Sequence, residues 1–246
     1  MTHKTRGLVL TSVKYGDTSL IVHIYTELFG LQSYLVNGVR TAAKKGHGRG
    51  NHFQPGAMLD MLVYHNELSN LQRIKEYKWA YLYQSLLEDV VKNSVVLFMV
   101  ELISKTIRQP EPNADLFNFL EDAFLYLDEA DQNVTVNYPL YFALQFPSFF
   151  GFRISDEYSE EKHVLELKEG EYLSERPLHP DYLDGHLSFM TSELLKVLHP
   201  KDLGEVKIGN ENRRVLLKAY IRFFELHISD FGMMKTLPVL QAVLGS

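Results

Sequence analysis

Apolar and polar residues alternate along much of the first eighty positions, the two-residue period of a half-buried strand. Leu8 to Lys14 is β-branched and apolar, and Tyr15-Gly16-Asp17-Thr18 reads as a turn. Ser19 to Thr26 places Leu20, Val22 and Ile24 on one face and Ile21, His23 and Tyr25 on the other. After a second turn, Glu27 to Gly30, the run Leu31 to Asn37 sets Leu31, Ser33 and Leu35 against Gln32, Tyr34 and Val36. Gly38 to Pro55 holds four glycines and one proline and reads as a long loop. Ala57 to His65 and Leu71 to Tyr77 form a last hairpin around Asn66-Glu67.

From Trp79 onward the period becomes helical. Tyr81 to Lys92 continues out of the last strand, and Ser94 is placed to cap an almost wholly apolar helix, Val95 to Ile107, stopped by Pro110 and Pro112. Asn113 is placed to cap Ala114 to Ala130. Pro139 to Phe150 is apolar and interrupted by Pro147, and helical pattern returns at Leu187 to Leu198 and Arg213 to Ile228. Between them, residues 151–185 are acidic, with short strand-like pieces. Five short strands with one long excursion suggest a small closed barrel of the OB type, because closure removes the exposed edges. The expected fold is α+β: a barrel domain in residues 1–80, then a mostly helical domain in 81–246 with a small irregular or hairpin insert at 153–186.

Charge changes the picture. The chain of 246 residues has a net charge of −6, which taken alone argues against nucleic acid. Residues 1–80, however, carry ten Lys/Arg against five Asp/Glu, and the remainder carries fifteen against twenty-six. A basic front joined to an acidic rear marks a polyanion-binding module fused to something else. The sequence contains no cysteine, so disulfides, thiol catalysis and thiolate metal sites are excluded. The polar N-terminus lacks a signal peptide's apolar core, and no apolar run approaches the length of a membrane helix. The expectation is a cytoplasmic protein.

The loop Val39 to Phe53 places Arg40, Lys44, Lys45 and Arg49 among glycines, with no acidic residue between them. Cations on a pliable loop suit a phosphate backbone, since each contact releases counterions. An ordinary solvated loop is the plainer alternative. His23, Tyr25, Gln32 and Tyr34 occupy the less apolar strand faces, where aromatic rings stack on bases in OB barrels. The competing reading packs Tyr25 and Tyr34 under the helical domain. Lys14, Arg73 and Lys75 add charge, with Arg73, Lys75 and Tyr77 alternating on one face of the fifth strand.

On the last long helix, Arg214, Lys218 and Arg222 are spaced to share one face beside Tyr220 and other apolar residues. Such a row can receive an acidic, apolar peptide end; neutralisation by Glu211 and Glu225 is the alternative. His179, Asp181, Asp184 and His186 crowd one turn-like segment and form the best candidate for a metal-dependent hydrolase. No nucleophile elbow or paired-histidine zinc motif accompanies them.

Arg6 to Leu10, Tyr15 to Ser19, Ile21-Val22, Tyr25-Thr26, Gly30 and Val36 to Arg40 together resemble the bacterial recombination mediator family RecO. Over the helical half the likeness is looser, carried by Phe149-Phe150-Gly151-Phe152 and by Lys235 to Leu240. The resemblance implies an N-terminal OB domain and a helical C-terminal domain. It implies binding of single- and double-stranded DNA, strand annealing, and engagement of the acidic tail of single-strand-binding protein. It further implies work with RecR, and in some bacteria RecF, in loading RecA. Many members carry a four-cysteine zinc ribbon after the Gly-Phe turn; this sequence lacks it, so residues 153–186 are expected to hold a metal-free replacement. The expectation is thus a monomeric, non-enzymatic, nucleoid-associated DNA repair and recombination mediator, without cofactor, metal or membrane attachment. An OB-type RNA-binding protein and a hydrolase built on His179 and His186 are the alternatives.

Overall fold

Alternating strands close when the last can return to the first, and here they do. In the computed structural model, which describes residues 1–39 and 52–245, five strands form a closed barrel in the order β1-β2-β3-β5-β4. They are β1 (Thr2–Tyr15), β2 (Ser19–Thr26), β3 (Gly30–Val36), β4 (Met58–Tyr64) and β5 (Gln72–Trp79). All neighbours are antiparallel except β3 and β5. The interior is filled by Val9, Val22, Ile24, Tyr34, Phe53 and Val63, each fully buried. Gly7 also faces inward, where a Cβ would collide with Ile24 and Met61, so glycine lets the strands close.

The helical part comprises α1 (Val90–Thr106), α2 (Ala114–Glu129), α3 (Gln132–Gln145), α4 (Gly185–Leu195), α5 (Asn210–His227) and α6 (Thr236–Val243). A three-stranded sheet, β7-β6-β8, lies between α3 and α4 in sequence, built from β6 (Val164–Glu166), β7 (Glu171–Leu173) and β8 (Tyr182–Leu183). The chain forms two compact units. The first holds Met1–Asp89 and Val100–Asp128, so α2 belongs with the barrel; the second holds Val90–Met99 and the residues from Glu129 onward.

Several local expectations are corrected. Residues 81–89 form turns rather than a helix. The Asp128 carboxylate accepts the backbone N–H groups of Gln84, Ser85 and Leu86 at 2.8–2.9 Å, holding this stretch in a non-helical course. Ser94 is not a cap but an interior residue of α1, donating to the Val91 carbonyl at 2.7 Å. Asn113 does cap α2, its side chain accepting from Leu116 N–H at 3.0 Å. Pro139 lies inside α3, which begins earlier, at a helix cap formed by Asp131. Pro147 opens a short 3-10 turn, Phe146–Phe150, which ends at Gly151 in the left-handed region.

In the second unit, Phe146 stacks with Phe142 and Phe224, and Phe152 stacks with His227. Arg213, buried at 8% exposure, donates to Asn137, Asn210 and the Ile208 carbonyl. No helix among the described residues is long and apolar enough to cross a membrane.

Candidate nucleic-acid interface

A bulge in β1, between Val9 and Thr11, rephases the strand. Beyond it, Thr11 pairs with His23, Val13 with Ile21 and Tyr15 with Ser19, all on the barrel's outer face. β3 extends these rows, His23 opposite Ser33 and Ile21 opposite Leu35, and Leu35 is in register with Arg73 of β5. The result is a band running from Val13 through Ile21 and Leu35 to Arg73. Val13 and Tyr15 are 57% and 53% exposed. His23 Nδ1 and Ser33 Oγ meet at 3.0 Å in the middle of the face.

This register overturns the proposed stacking pair. Tyr34 points into the barrel core, 0% exposed, because its cross-strand partner is the core residue Val22. Leu31, Ser33 and Leu35 therefore face outward, the reverse of what their hydrophobicity suggests. Tyr25 is on the outer face but only 1% exposed, because α2 covers it and stacks Phe117 on its ring at 6.3 Å. Burial pushes the Tyr25 phenol up to about 12, with Asn113 backbone hydrogen bonding opposing it, and burial likewise raises Tyr34. Neither ring can stack on a base. The aromatic this face does expose is Tyr15, 53% exposed at a strand end beside the Gly16-Asp17 turn.

The fifth strand needs a second correction. Val63 pairs with Ile74 and Leu62 with Glu76, leaving Lys75 as the extra residue of a bulge. One added residue reverses the inward parity, so Ile74 before it and Tyr77 after it both pack on the core. Arg73 and Lys75 are exposed, but Tyr77 does not join them.

Lys14, Arg73 and Lys75 form no ion pair among the described residues. Two other barrel cations are neutralised: Lys78 faces Asp60 at 3.3 Å, and Arg6 lies between Glu27 and Glu121 at 3.0 and 2.5 Å. Hydrogen bonding to Glu27 is the largest cause raising the pKa of Arg6. Arg40, Lys44, Lys45 and Arg49 lie outside the described residues.

Beside the outer face of β2 and β3 is a cleft of about 680 Å³, bounded also by the β4–β5 turn and by Arg108, Pro110 and Pro112. Gly30, at φ +61, lets the Glu111 backbone approach closely enough to hold that last segment in place; a Cβ would collide with it.

On α5 the cationic row is broken up. Arg222 is bound to Asp181 at 2.8 Å and to Glu225 at 3.2 Å. Hydrogen bonds to Asp181 and Glu225 raise its pKa, and the bond from Arg222 lowers that of Asp181. Tyr220 is 1% exposed, its hydroxyl 2.9 Å from Thr191, so it cannot meet a docked peptide. Arg214 is exposed and donates to the Gln241 carbonyl at 3.0 Å; Lys218 is exposed.

The hydrolase reading finds no site among the described residues, which contain no group of three or more His, Cys, Asp or Glu side chains placed to hold a metal ion. Asp181 is taken by Arg222, and Asp184 caps α4 and binds Arg176 at 2.6 Å. Nor do the residues of the insert fit a zinc ribbon. Glu166, buried, accepts from Lys168 and Glu169 N–H at 2.7 and 2.8 Å and faces His179 Nε2 at 3.0 Å. That carboxylate closes the β6–β7 turn from within the chain's own chemistry.

Comparison with known proteins adds the following. Residues 1–83 match the family model described as Recombination protein O N terminal, and residues 87–236 match Recombination protein O C terminal. The chain is 32% identical to a protein of Flavobacterium psychrophilum named DNA repair protein RecO, covering 98% of each chain. It is 31% identical to one of the same name from Phocaeicola vulgatus, again over 98% of each. A similarly named protein of Azobacteroides pseudotrichonymphae is 26% identical over 99% of each chain.

Proposed function

Because the chain belongs to the RecO family of DNA repair proteins, we propose that it is a recombination mediator acting through its barrel. In this reading it binds single- and double-stranded DNA, anneals complementary strands and helps load RecA onto DNA covered by single-strand-binding protein. The observation that carries the reading is the outer face of β1, β2 and β3. It exposes Tyr15 beside apolar and hydrogen-bonding side chains, with Arg73, which forms no ion pair among the described residues, at its edge, while Lys14 lies across from Leu20 on the other side of β1 near the same strand end. Strand faces of this position hold single strands in OB barrels by stacking and backbone charge.

Each part has a distinct task. Lys14, Arg73 and Lys75 neutralise phosphates, releasing counterions and supplying affinity that ignores sequence. Arg40, Lys44, Lys45 and Arg49 add to that charge. Annealing follows when two backbones are neutralised while most bases stay exposed for pairing. The acidic tail of single-strand-binding protein docks on Arg214 and Lys218 of α5, the members of the row free of a carboxylate partner among the described residues. RecR, and in some settings RecF, complete the loading machinery. The activity needs no bond-making chemistry and no cofactor.

The test is annealing of complementary oligonucleotides coated with single-strand-binding protein. The chain is expected to accelerate it, and Lys218→Glu is expected to slow it on coated strands more than on bare ones. No acceleration on either would refute the mediator reading. A preference for RNA over single-stranded DNA at matched salt would favour an RNA-binding barrel instead.

A further inference from the structure

The geometry points to the cleft between the β2–β3 face and the β4–β5 turn as a subsite for a single unpaired nucleobase, a reading that rests on the DNA-binding function proposed above. At about 680 Å³ the cleft falls in the range of small-molecule sites, roughly 300–1,000 Å³. Its walls have the right chemistry for a flat ring with a polar edge. Phe29 and His65 are stacked 3.9 Å apart at an interplanar angle of 13°, and Pro110 and Pro112 form an apolar side. On the β-sheet side, the His23–Ser33 pair offers an imidazole and a hydroxyl capable of donating or accepting.

Charge decides between base and phosphate. The lining carries one permanent cation, Arg108, and one carboxylate, Glu67. A site with that balance has no net attraction for a phosphate dianion or a chain of phosphodiesters. Lys14, Arg73 and Lys75, the barrel cations assigned above to phosphates, are absent from the lining. The barrel thus separates its tasks: backbone outside on the cations, base inside the neutral cleft.

The cleft is also built firmly. Gln72, 4% exposed, accepts from Asn66 N–H and donates to the Asn66 and Ser69 carbonyls at 2.6–3.0 Å, fixing the β4–β5 turn. Gln32 donates to the Phe29 carbonyl at 2.8 Å, fixing the β2–β3 turn. A preformed wall lowers the ordering cost of capturing a base. A duplex keeps its bases paired and offers none, so the cleft favours single strands, and one captured base per molecule leaves its neighbours free to pair.

The experiment compares three probes: an oligothymidylate, an abasic oligomer of equal length, and a duplex. His23→Ala and Ser33→Trp, the latter filling the cleft, are measured beside the unaltered chain, with folding checked by circular dichroism and melting. The variants are expected to bind oligothymidylate about tenfold more weakly, within the effect of one stacked base. Abasic and duplex affinities should stay within twofold, and the salt slope should not change, because no phosphate contact is lost. Equal weakening on all three probes, or no weakening on oligothymidylate, would overturn the subsite. If the unaltered chain bound none of the three, the DNA-binding reading itself would fall and take the subsite with it.

Discussion

The Arg6 guanidinium of β1 holds both carboxylate oxygens of Glu121 on α2 through Nη1, at 2.5 and 2.6 Å. The same guanidinium bonds Glu27 and lies 5.3 Å from the centre of the Phe117 ring. The contact places α2 over Tyr25 and neutralises Arg6. Glu121 has only 11% of its side chain exposed, so deleting its charge leaves a half-buried cation poorly matched. Glu121→Gln is expected to lower the unfolding free energy by about 1–3 kcal/mol in urea titration while sparing DNA affinity.

The same cluster sets a pH dependence. The bond from Arg6 holds Glu27 below its ordinary value of 4.5. A carboxylate whose folded pKa is depressed stabilises the fold above its unfolded pKa, and that stabilisation is lost as pH falls through the folded value. Asp181 and Asp184 have the same sign, through Arg222 and Arg176. Melting temperature is therefore expected to drop below about pH 4.5, and Arg6→Met should flatten that drop relative to the unaltered chain.

Tyr15 and Tyr34 should separate stacking from packing. Tyr15→Ala is expected to weaken single-strand binding by about 1–3 kcal/mol without changing stability. Tyr34→Phe should leave DNA affinity unchanged, since that ring never reaches solvent. Anisotropy titration of the two variants, with melting curves, checks both.

Asn137 supports a buried cation. Its amide nitrogen donates to the Leu203 and Val206 carbonyls, and its oxygen accepts from Arg213 Nε at 3.1 Å. Desolvation lowers the pKa of Arg213, and its bonded partners are neutral oxygens. Asn137→Ala strips one of those acceptors and leaves two carbonyls short of a donor. A loss of about 2–4 kcal/mol of unfolding free energy is expected, read by chemical denaturation.

How much of this was legible in the sequence varies by residue. β2 was readable because the alternating set Leu20, Val22 and Ile24 faces the core together. β3 was not, because Leu31 and Leu35 are on the outer face while Gln32 turns its amide back to Phe29. Register there is fixed by pairing with β2, which no single strand reveals. The bulge at Lys75 was equally silent: an inserted residue leaves no mark in composition yet exchanges the faces of Tyr77 and Lys78. On α5 the spacing of Arg214, Lys218 and Arg222 was right, but Asp181, forty-one positions earlier, could be matched to Arg222 only in three dimensions. The cleft was invisible for the same reason, since Arg108 and His23, eighty-five positions apart, line one cleft only in three dimensions.

The most direct test of the central claim is the salt dependence of single-strand binding with Lys14, Arg73 and Lys75 replaced together by Ala. If these three hold phosphates, affinity falls and the slope of log K against log salt becomes shallower by about 2. An unchanged slope, in a variant that melts like the parent, would contradict the account.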